Sequence, residues 1–336
     1  MRSWSIAVPR ERAEAIRKEL LAQGLLVKQL RIGRDRDRIL LPTVRRVDLG
    51  FPTEEREFEE GFVPIRSYKD VAQIPVSLRA SLPSSFDVVG DIVVFKLPEE
   101  LRPHRAAIGR AILRWNAKIR VVVEDRGVRG PLRVRQVNVI AGQQRTTTLH
   151  IEHGLRYHVD IARAYFSPRL ASERRRIADL VDEDETVADP FAGVGPYAIL
   201  IAKRRRPRVV HASDANSVAV EFLRANVAAN RANGVAVRQG DARAILREVA
   251  PVDRVILDLP HSAMDYLPSA FAAIGRSGTV HVYGILEQAE EVKRRETIRS
   301  VAQVEGMRVS ILSSRHVRAY SPTQYHTAFD VTVVRA

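Results

Sequence analysis

Four aspartates fall at the ends of four successive apolar runs in the C-terminal half of the chain: Asp189, Asp214, Asp241 and Asp258. The first opens the segment Asp189-Pro190-Phe191-Ala192-Gly193-Val194-Gly195-Pro196-Tyr197-Ala198, which follows a short apolar strand and precedes a helical run. Paired glycines in such a turn let the backbone pass close to a bound nucleotide cofactor, with a helix N-terminus facing it. Read loosely, Gly193-x-Gly195-x-x-Ala198 also fits the dinucleotide fingerprint. The carboxylate of Asp189 separates the two cofactors. A pyrophosphate there would meet a negative charge, whereas S-adenosylmethionine brings a cationic ammonium and sulfonium that a carboxylate favours. Phe191, Gly193 and Gly195 are read with Asp189 as the cofactor loop. Asp214 stands where an acid can accept from both ribose hydroxyls, and Asp241, in Gly240-Asp241-Ala242, where an acid can reach the adenine amino group. Each reads equally well alone as a helix N-cap. Together, at three successive strand ends, they favour a methyl-donor site.

The fourth run ends in Asp258-Leu259-Pro260-His261. An Asn/Asp/Ser-x-Pro-aromatic turn can hold a flat nucleobase, its side chain bonding the base edge and its turn placing the face. The plain alternative is an Asp-initiated proline turn. Upstream lies Tyr165-Phe166-Ser167-Pro168-Arg169-Leu170-Ala171-Ser172-Glu173-Arg174, which by itself reads as a helix with Ser172 as N-cap and an acid in its first turn.

Positioning these residues requires strands alternating with helices. From Thr146 onward, strands are expected at 186–188, 208–212, 236–239, 254–257, 278–282, 308–313 and 328–334, the pattern of an α/β, Rossmann-like domain with a mainly parallel sheet. Two smaller α+β units precede it. The first has a helical pattern between Pro9 and Gly24 and β-like runs at 25–32 and 38–44. The second has strand candidates at 88–97, 119–124 and 134–141 and a helix over 99–115. The stretch Phe51–Pro75, acidic and dotted with prolines, reads as a linker. Domains are accordingly placed at 1–62, 76–145 and 146–336, with 63–75 between the first two.

The formal net charge is +14 over 336 residues, which points to a polyanionic partner, nucleic acid before membrane. Arginines and lysines crowd the second unit, and Arg31, Arg34, Arg36 and Arg38 of the first alternate with aspartates. Hydrophobic content of 45% and charged content of 28% exclude a disordered chain. With no cysteine there is no disulfide framework, thiolate metal site or thiol nucleophile. No apolar run reaches the roughly 18 residues of a membrane span. The expectation is a soluble cytoplasmic protein. The histidines show no metal-ligand pattern, so no metal is expected.

In order along the chain, Arg133-Val134-Arg135, Tyr165-Phe166-Ser167-Pro168-Arg169-Leu170, Glu173-Arg174, the Asp189–Pro196 loop, Asp258-Leu259-Pro260 and Tyr320-Ser321-Pro322 resemble the tRNA guanine-37 N1-methyltransferases of archaea and eukaryotes. The resemblance is dense over the C-terminal two-thirds and only one of pattern in the first unit. It implies a tRNA held at the anticodon loop and elbow by a monomeric enzyme without an obligate protein partner. N1 of guanine carries a proton at neutral pH, so its methylation needs a base and a cation on O6. Glu173 matches the family's general base and Arg133 the arginine on O6. Tyr165 and Arg174 match residues that position the flipped base or its phosphate, and Asp258 and Pro260 occupy the turn at the base edge. The best-known members carry asparagine where this chain has Asp258. A carboxylate there accepts from the guanine edge but cannot donate. Methylation of C7 in a wyosine precursor is a further activity that the resemblance allows. The rival expectations are aminocarboxypropyl transfer from the same cofactor, methylation of another nucleic-acid base, and a nucleotide-dependent dehydrogenase.

Overall fold

The computed structural model describes residues 1–61, 65–130, 132 and 134–336. The chain divides into two compact units, Met1–Asp70 and Val71–Ala336.

In the first unit β1 (Arg2–Pro9), α1 (Ala13–Ala22), β2 (Gly33–Asp35), β3 (Arg38–Thr43) and β4 (Thr53–Glu57) form an antiparallel sheet in the order β2-β3-β1-β4. Helix α1 buries Ala13, Ile16 and Leu20, the face its periodicity predicts, over Ile6, Val8 and Leu41. Two expectations change here. Residues 25–32 form no strand; they run beside the sheet through the bridges Leu26 to Thr43 and Leu30 to Glu60 and the hydrogen bond from the Val27 amide to the Pro42 carbonyl at 2.9 Å. The acidic run read as a linker contributes β4, which pairs along β1 from Arg2–Glu57 to Ile6–Thr53. Its charges suit an outer strand, where they discourage further pairing. They also hide the strand from an apolar-alternation reading.

The second unit opens with β5 (Asp87–Val89), β6 (Ile92–Phe95), α2 (Arg105–Trp115), β7 (Val121–Arg129) and β8 (Val134–Gly142), a sheet in that strand order whose β6/β7 pair is parallel. A hairpin follows, β9 (Thr147–Glu152) and β10 (Leu155–Asp160), unanticipated because its short runs mix charge with apolar residues. Then come α3 (Ala171–Asp179), β11 (Thr186–Asp189), α4 (Pro196–Arg204), β12 (Val209–Asp214), α5 (Ser217–Ala229), β13 (Val235–Gln239), α6 (Ala242–Val249), β14 (Val252–Leu257), α7 (Leu267–Ala273), β15 (Ile274–Glu287), α8 (Glu291–Val304), β16 (Met307–Ala319) and β17 (Gln324–Arg335).

These strands make one seven-stranded sheet, β13-β12-β11-β14-β15-β17-β16. The first five are parallel, and β17 enters antiparallel between β15 and β16. Apolar layers cover both faces, one built around Leu257, Phe271, Val280 and Phe329, the other around Ile199, Val210, Leu223 and Ile256. Each such side chain contributes roughly 1.5–3 kcal/mol by leaving water. Strand succession reverses between β11 and β14, and ligands of open α/β sheets bind in the crevice that such a reversal opens at the carboxyl ends of the strands. All four aspartates of the sequence reading lie at that edge.

Candidate active site

A cleft of about 200 Å³ occupies this crevice. Its walls include Phe191, Gly193, Asp214, Asp241, Asp258, Pro260, Tyr165 and Arg174. Eight predicted site residues are thus brought together. Gly195 shapes the turn beneath them, Asp189 and Glu173 lie behind the wall, and Arg133 lies outside the described residues.

The cofactor loop follows from backbone geometry. Gly193 and Gly195 hold φ of 55° and 93°, the left-handed region that favours glycine. A Cβ on Gly195 would stand 2.4 Å from Leu223 Cδ1 and 3.0 Å from Ile199 Cδ1. Gly195→Ala is therefore expected to lower unfolding free energy by about 1–3 kcal/mol, read as a reduced Tm in a thermal melt, because strain and crowding coincide.

Asp214 folds back on that loop. Its carboxylate accepts from the Gly193 amide at 2.8 Å and the Asn216 amide at 2.8 Å. Burial pushes its pKa above the ordinary carboxylate range, opposed by those backbone donors. Asp241 caps α6, both bonds (from Arg243 and Ala244) using Oδ1, so the capping reading and a place on the cleft wall hold together. Between these acids Phe191 meets Tyr266 edge to face at 4.9 Å. Asp189 is fully buried and neither of its oxygens meets hydrogen-bond geometry with any described residue, although the Phe191 amide leans toward it. Burial, then the charges of Asp258 and Asp214, push its carboxyl well above the usual range. An orphaned carboxylate beneath two acids and two aromatic rings suits a cationic nucleoside and opposes a pyrophosphate.

Across the cleft, Asp258 directly follows β14, with a side chain 16% exposed, 3.8 Å from Nε2 of the buried His326. His261 and Tyr320 bring their rings together at 6.0 Å on the same wall. Tyr165 is exposed, with the Arg135 guanidinium 5.7 Å above its ring. Arg174 is only 2% exposed. Its guanidinium bonds both oxygens of Glu152 at 2.8 and 2.6 Å and the Ser167 carbonyl at 2.9 Å, and lies 5.2 Å from the Phe166 ring centroid. Those contacts hold the Tyr165–Leu170 wall.

Glu173, one residue earlier on α3, is 3% exposed. Arg176 binds it at 2.9 and 2.7 Å, and the Tyr283 hydroxyl donates to it at 2.8 Å. Tyr197, on the cleft wall, donates in turn to Tyr283 at 3.3 Å. Tyr283, His326, Tyr266 and Arg318 were not singled out from sequence. They come from β15, β17, the segment before α7 and β16. Tyr283 lies in an apolar strand, whereas Tyr266 and Arg318 stand within a few residues of the Asp258–His261 and Tyr320–Pro322 motifs, as neighbours that no sequence pattern picks out.

A mainly parallel sheet with an acid-lined crevice at its reversal point, built for a cationic nucleoside, defines a Rossmann-like, S-adenosylmethionine-type transferase. The chain belongs to the TRM5/TYW2 methyltransferase family. Residues 148–312 match the TRM5/TYW2 methyltransferase domain, 71–146 the TYW2 N-terminal domain, and 5–48 the tRNA methyltransferase 5 N-terminal domain. The chain is 37% identical, over 98% of both chains, to tRNA (guanine(37)-N(1))-methyltransferase Trm5b of Pyrococcus abyssi. The crystal structure of wild-type Trm5b from that organism superposes with a TM-score of 0.75 at 36% identity, covering 99% of each chain. A structure described as the complex of aTrm5 and tRNALeu matches with a TM-score of 0.71 at 28% identity, covering 98% of this chain and 99% of that one.

Proposed function

We propose that this protein transfers a methyl group from S-adenosylmethionine to N1 of the guanosine at position 37 of tRNA. The observation that carries the reading is the joining, in one cleft, of the acid set suited to the methyl donor with the Asp258–Pro260 turn, backed by the buried carboxylate of Glu173. The activity named for the Trm5b relative, which aligns along nearly the whole chain, supports it. When bound, S-adenosylmethionine supplies an electrophilic methyl group. Asp214 would hold the ribose diol, Asp241 the adenine edge, and Phe191, backed edge to face by Tyr266, one face of the adenine. Asp258 accepts from the exocyclic amine of guanine and leaves N1 open. Glu173 takes the N1 proton, and Arg133, by the family resemblance, balances charge on O6. Arg174 keeps the wall beside Tyr165 in place.

A wider groove of about 1110 Å³ shares Tyr165, Ser167, His261, Arg318 and Tyr320 with the cleft and adds Lys96, Arg135 and Arg169. We assign it to the anticodon-loop backbone: Arg135 and Arg169 pair there with Asp125 and Asp87, and with Lys96 and Arg318 the groove keeps an excess of positive charge for the phosphates. Arg318 Nε is buried without a hydrogen-bond partner among the described residues, a donor suited to that strand. Loop bases are already partly unstacked, which lowers the cost of extruding one into the cleft. The unit Met1–Asp70 is assigned to the tRNA elbow.

Two measurements test these assignments. Asp214→Ala removes a charged acceptor for the ribose and is expected to weaken S-adenosylmethionine binding by about 10–100-fold in calorimetry, since a hydrogen bond to a charged group contributes about 1.5–3 kcal/mol. Incubation of labelled donor with a tRNA transcript bearing guanosine 37 is expected to label it, and a transcript with adenosine there is expected to stay unlabelled. Equal labelling of the two would overturn the substrate assignment.

A further inference from the structure

The carboxylate proposed as base does not line the cleft, yet it is joined to the cleft by an oriented pair of hydroxyls. We propose that Tyr197 and Tyr283 form a proton wire that carries the guanine N1 proton from the cleft to Glu173. The inference rests on the methyl-transfer reading above.

The donors already point the right way. Tyr197 donates to Tyr283 at 3.3 Å, and Tyr283 donates to Glu173 Oε1 at 2.8 Å. Tyr197 comes from α4, directly after the cofactor loop, and Tyr283 from β15, so the wire crosses the sheet edge under the cleft. Both rings are buried, which excludes water from the path. In the transfer, the N1–H bond breaks and its electron pair forms the bond to the methyl carbon. The carbon–sulfur bond breaks, with its pair remaining on sulfur. The proton joins the Tyr197 oxygen as the Tyr197 proton moves to Tyr283 and the Tyr283 proton moves to Glu173. Each phenol ends neutral with one proton and Glu173 ends as a carboxylic acid.

Burial, with the charges of Asp258 and Glu173 nearby, drives the Tyr197 phenol well above its usual range, and burial does the same to Tyr283. Neither rests as a phenolate, and a concerted hop needs none. Arg176 leaves Glu173 able to accept a proton because its guanidinium is shared with a second carboxylate: it bonds Asp330 at 2.6 and 3.1 Å. Asp330 in turn contacts His281 Nδ1 at 2.6 Å, and His281 Nε2 lies 2.7 Å from Arg254, which pairs with Glu185. Burial lowers the pKa of His281, so it stays neutral, and His281 and Arg176 hold Asp330 ionised against its burial. The cluster of Glu173, Arg176 and Asp330 carries a net negative charge, and one incoming proton neutralises it without leaving Arg176 unpaired. Arg174 from α3 and Asp258 from the turn after β14 complete the charged surroundings of the two tyrosines.

The test is a double-mutant cycle on the full-length enzyme, reading single-turnover methylation of a guanosine-37 tRNA transcript. Tyr283→Phe keeps the ring and breaks the wire. It is expected to slow turnover by about 100-fold with S-adenosylmethionine and tRNA affinities retained. Adding Glu173→Gln to it should cost nothing further, because both changes cut one path. Tyr197→Phe, which cuts the path one hydroxyl earlier, should behave alike and serves if Tyr283→Phe does not fold. Near-wild-type turnover in the folded phenylalanine variant, or losses that multiply in the double variant, overturns the wire. Failure of the unaltered enzyme to methylate N1 would instead overturn the parent reading.

Discussion

Glu173→Gln is expected to lower single-turnover methylation by about two orders of magnitude or more, the range of a general base, while leaving the affinity for S-adenosylmethionine unchanged. The substitution is nearly isosteric. Its amide oxygen still accepts from Tyr283, and Arg176 still has Asp330, so the wall behind the cleft stays in place. What disappears is the capacity to hold a proton. Because N1 of guanine is protonated at neutral pH, the lone pair that attacks carbon exists only once that proton leaves. An exocyclic amine needs no strong base. A variant with near-normal turnover, measured with saturating donor and tRNA, would therefore remove Glu173 from the mechanism and turn attention to methylation of an amino group.

The second large effect is on stability. Arg174→Met is expected to cost about 3–5 kcal/mol of unfolding free energy, because it strands the Glu152 carboxylate in a site that is 5% exposed at the side chain. Methionine fills much of the same volume over Phe166 but returns none of the three bonds that Arg174 makes to Glu152 and Ser167. For a unit of this size such a loss corresponds to a drop in Tm of about 10 °C. Replacing Glu152 by leucine in the same variant should recover most of it, since an apolar pair leaves no charge uncompensated. If the single variant melts like the unaltered protein, Arg174 is free to engage a phosphate, and its role in holding the wall falls.

Much of the sheet was legible because its strands are short apolar runs, each closed by an aspartate: 186–189, 209–214, 235–239 and 252–257 follow one another as the alternation implies. The four acids were legible for the same reason, since a strand end is marked in sequence by the change from apolar to charged. What sequence could not show is depth. Asp189 and Asp241 look alike in type and place, yet one is fully buried and orphaned while the other caps a helix at the cleft wall. Glu173 and Arg174 are neighbours on one helix, and only packing separates the carboxylate tied to Arg176 and Tyr283 from the guanidinium tied to Glu152. Their partners are distant in the chain: Tyr283 lies 110 residues from Glu173, and Asp330 lies 154 from Arg176. No local pattern encodes such pairs. Strand β4 escaped for a different reason, because its stability comes from pairing with β1 and not from an apolar face of its own.

The most direct test of the account is the chemical identity and position of the added group. A tRNA transcript with guanosine 37, reacted with S-adenosylmethionine and the full-length enzyme and then digested to nucleosides and short fragments for mass spectrometry, should carry one methyl group on N1 of that guanosine. An aminocarboxypropyl group in its place, or a methyl group on another atom or nucleotide, would contradict it.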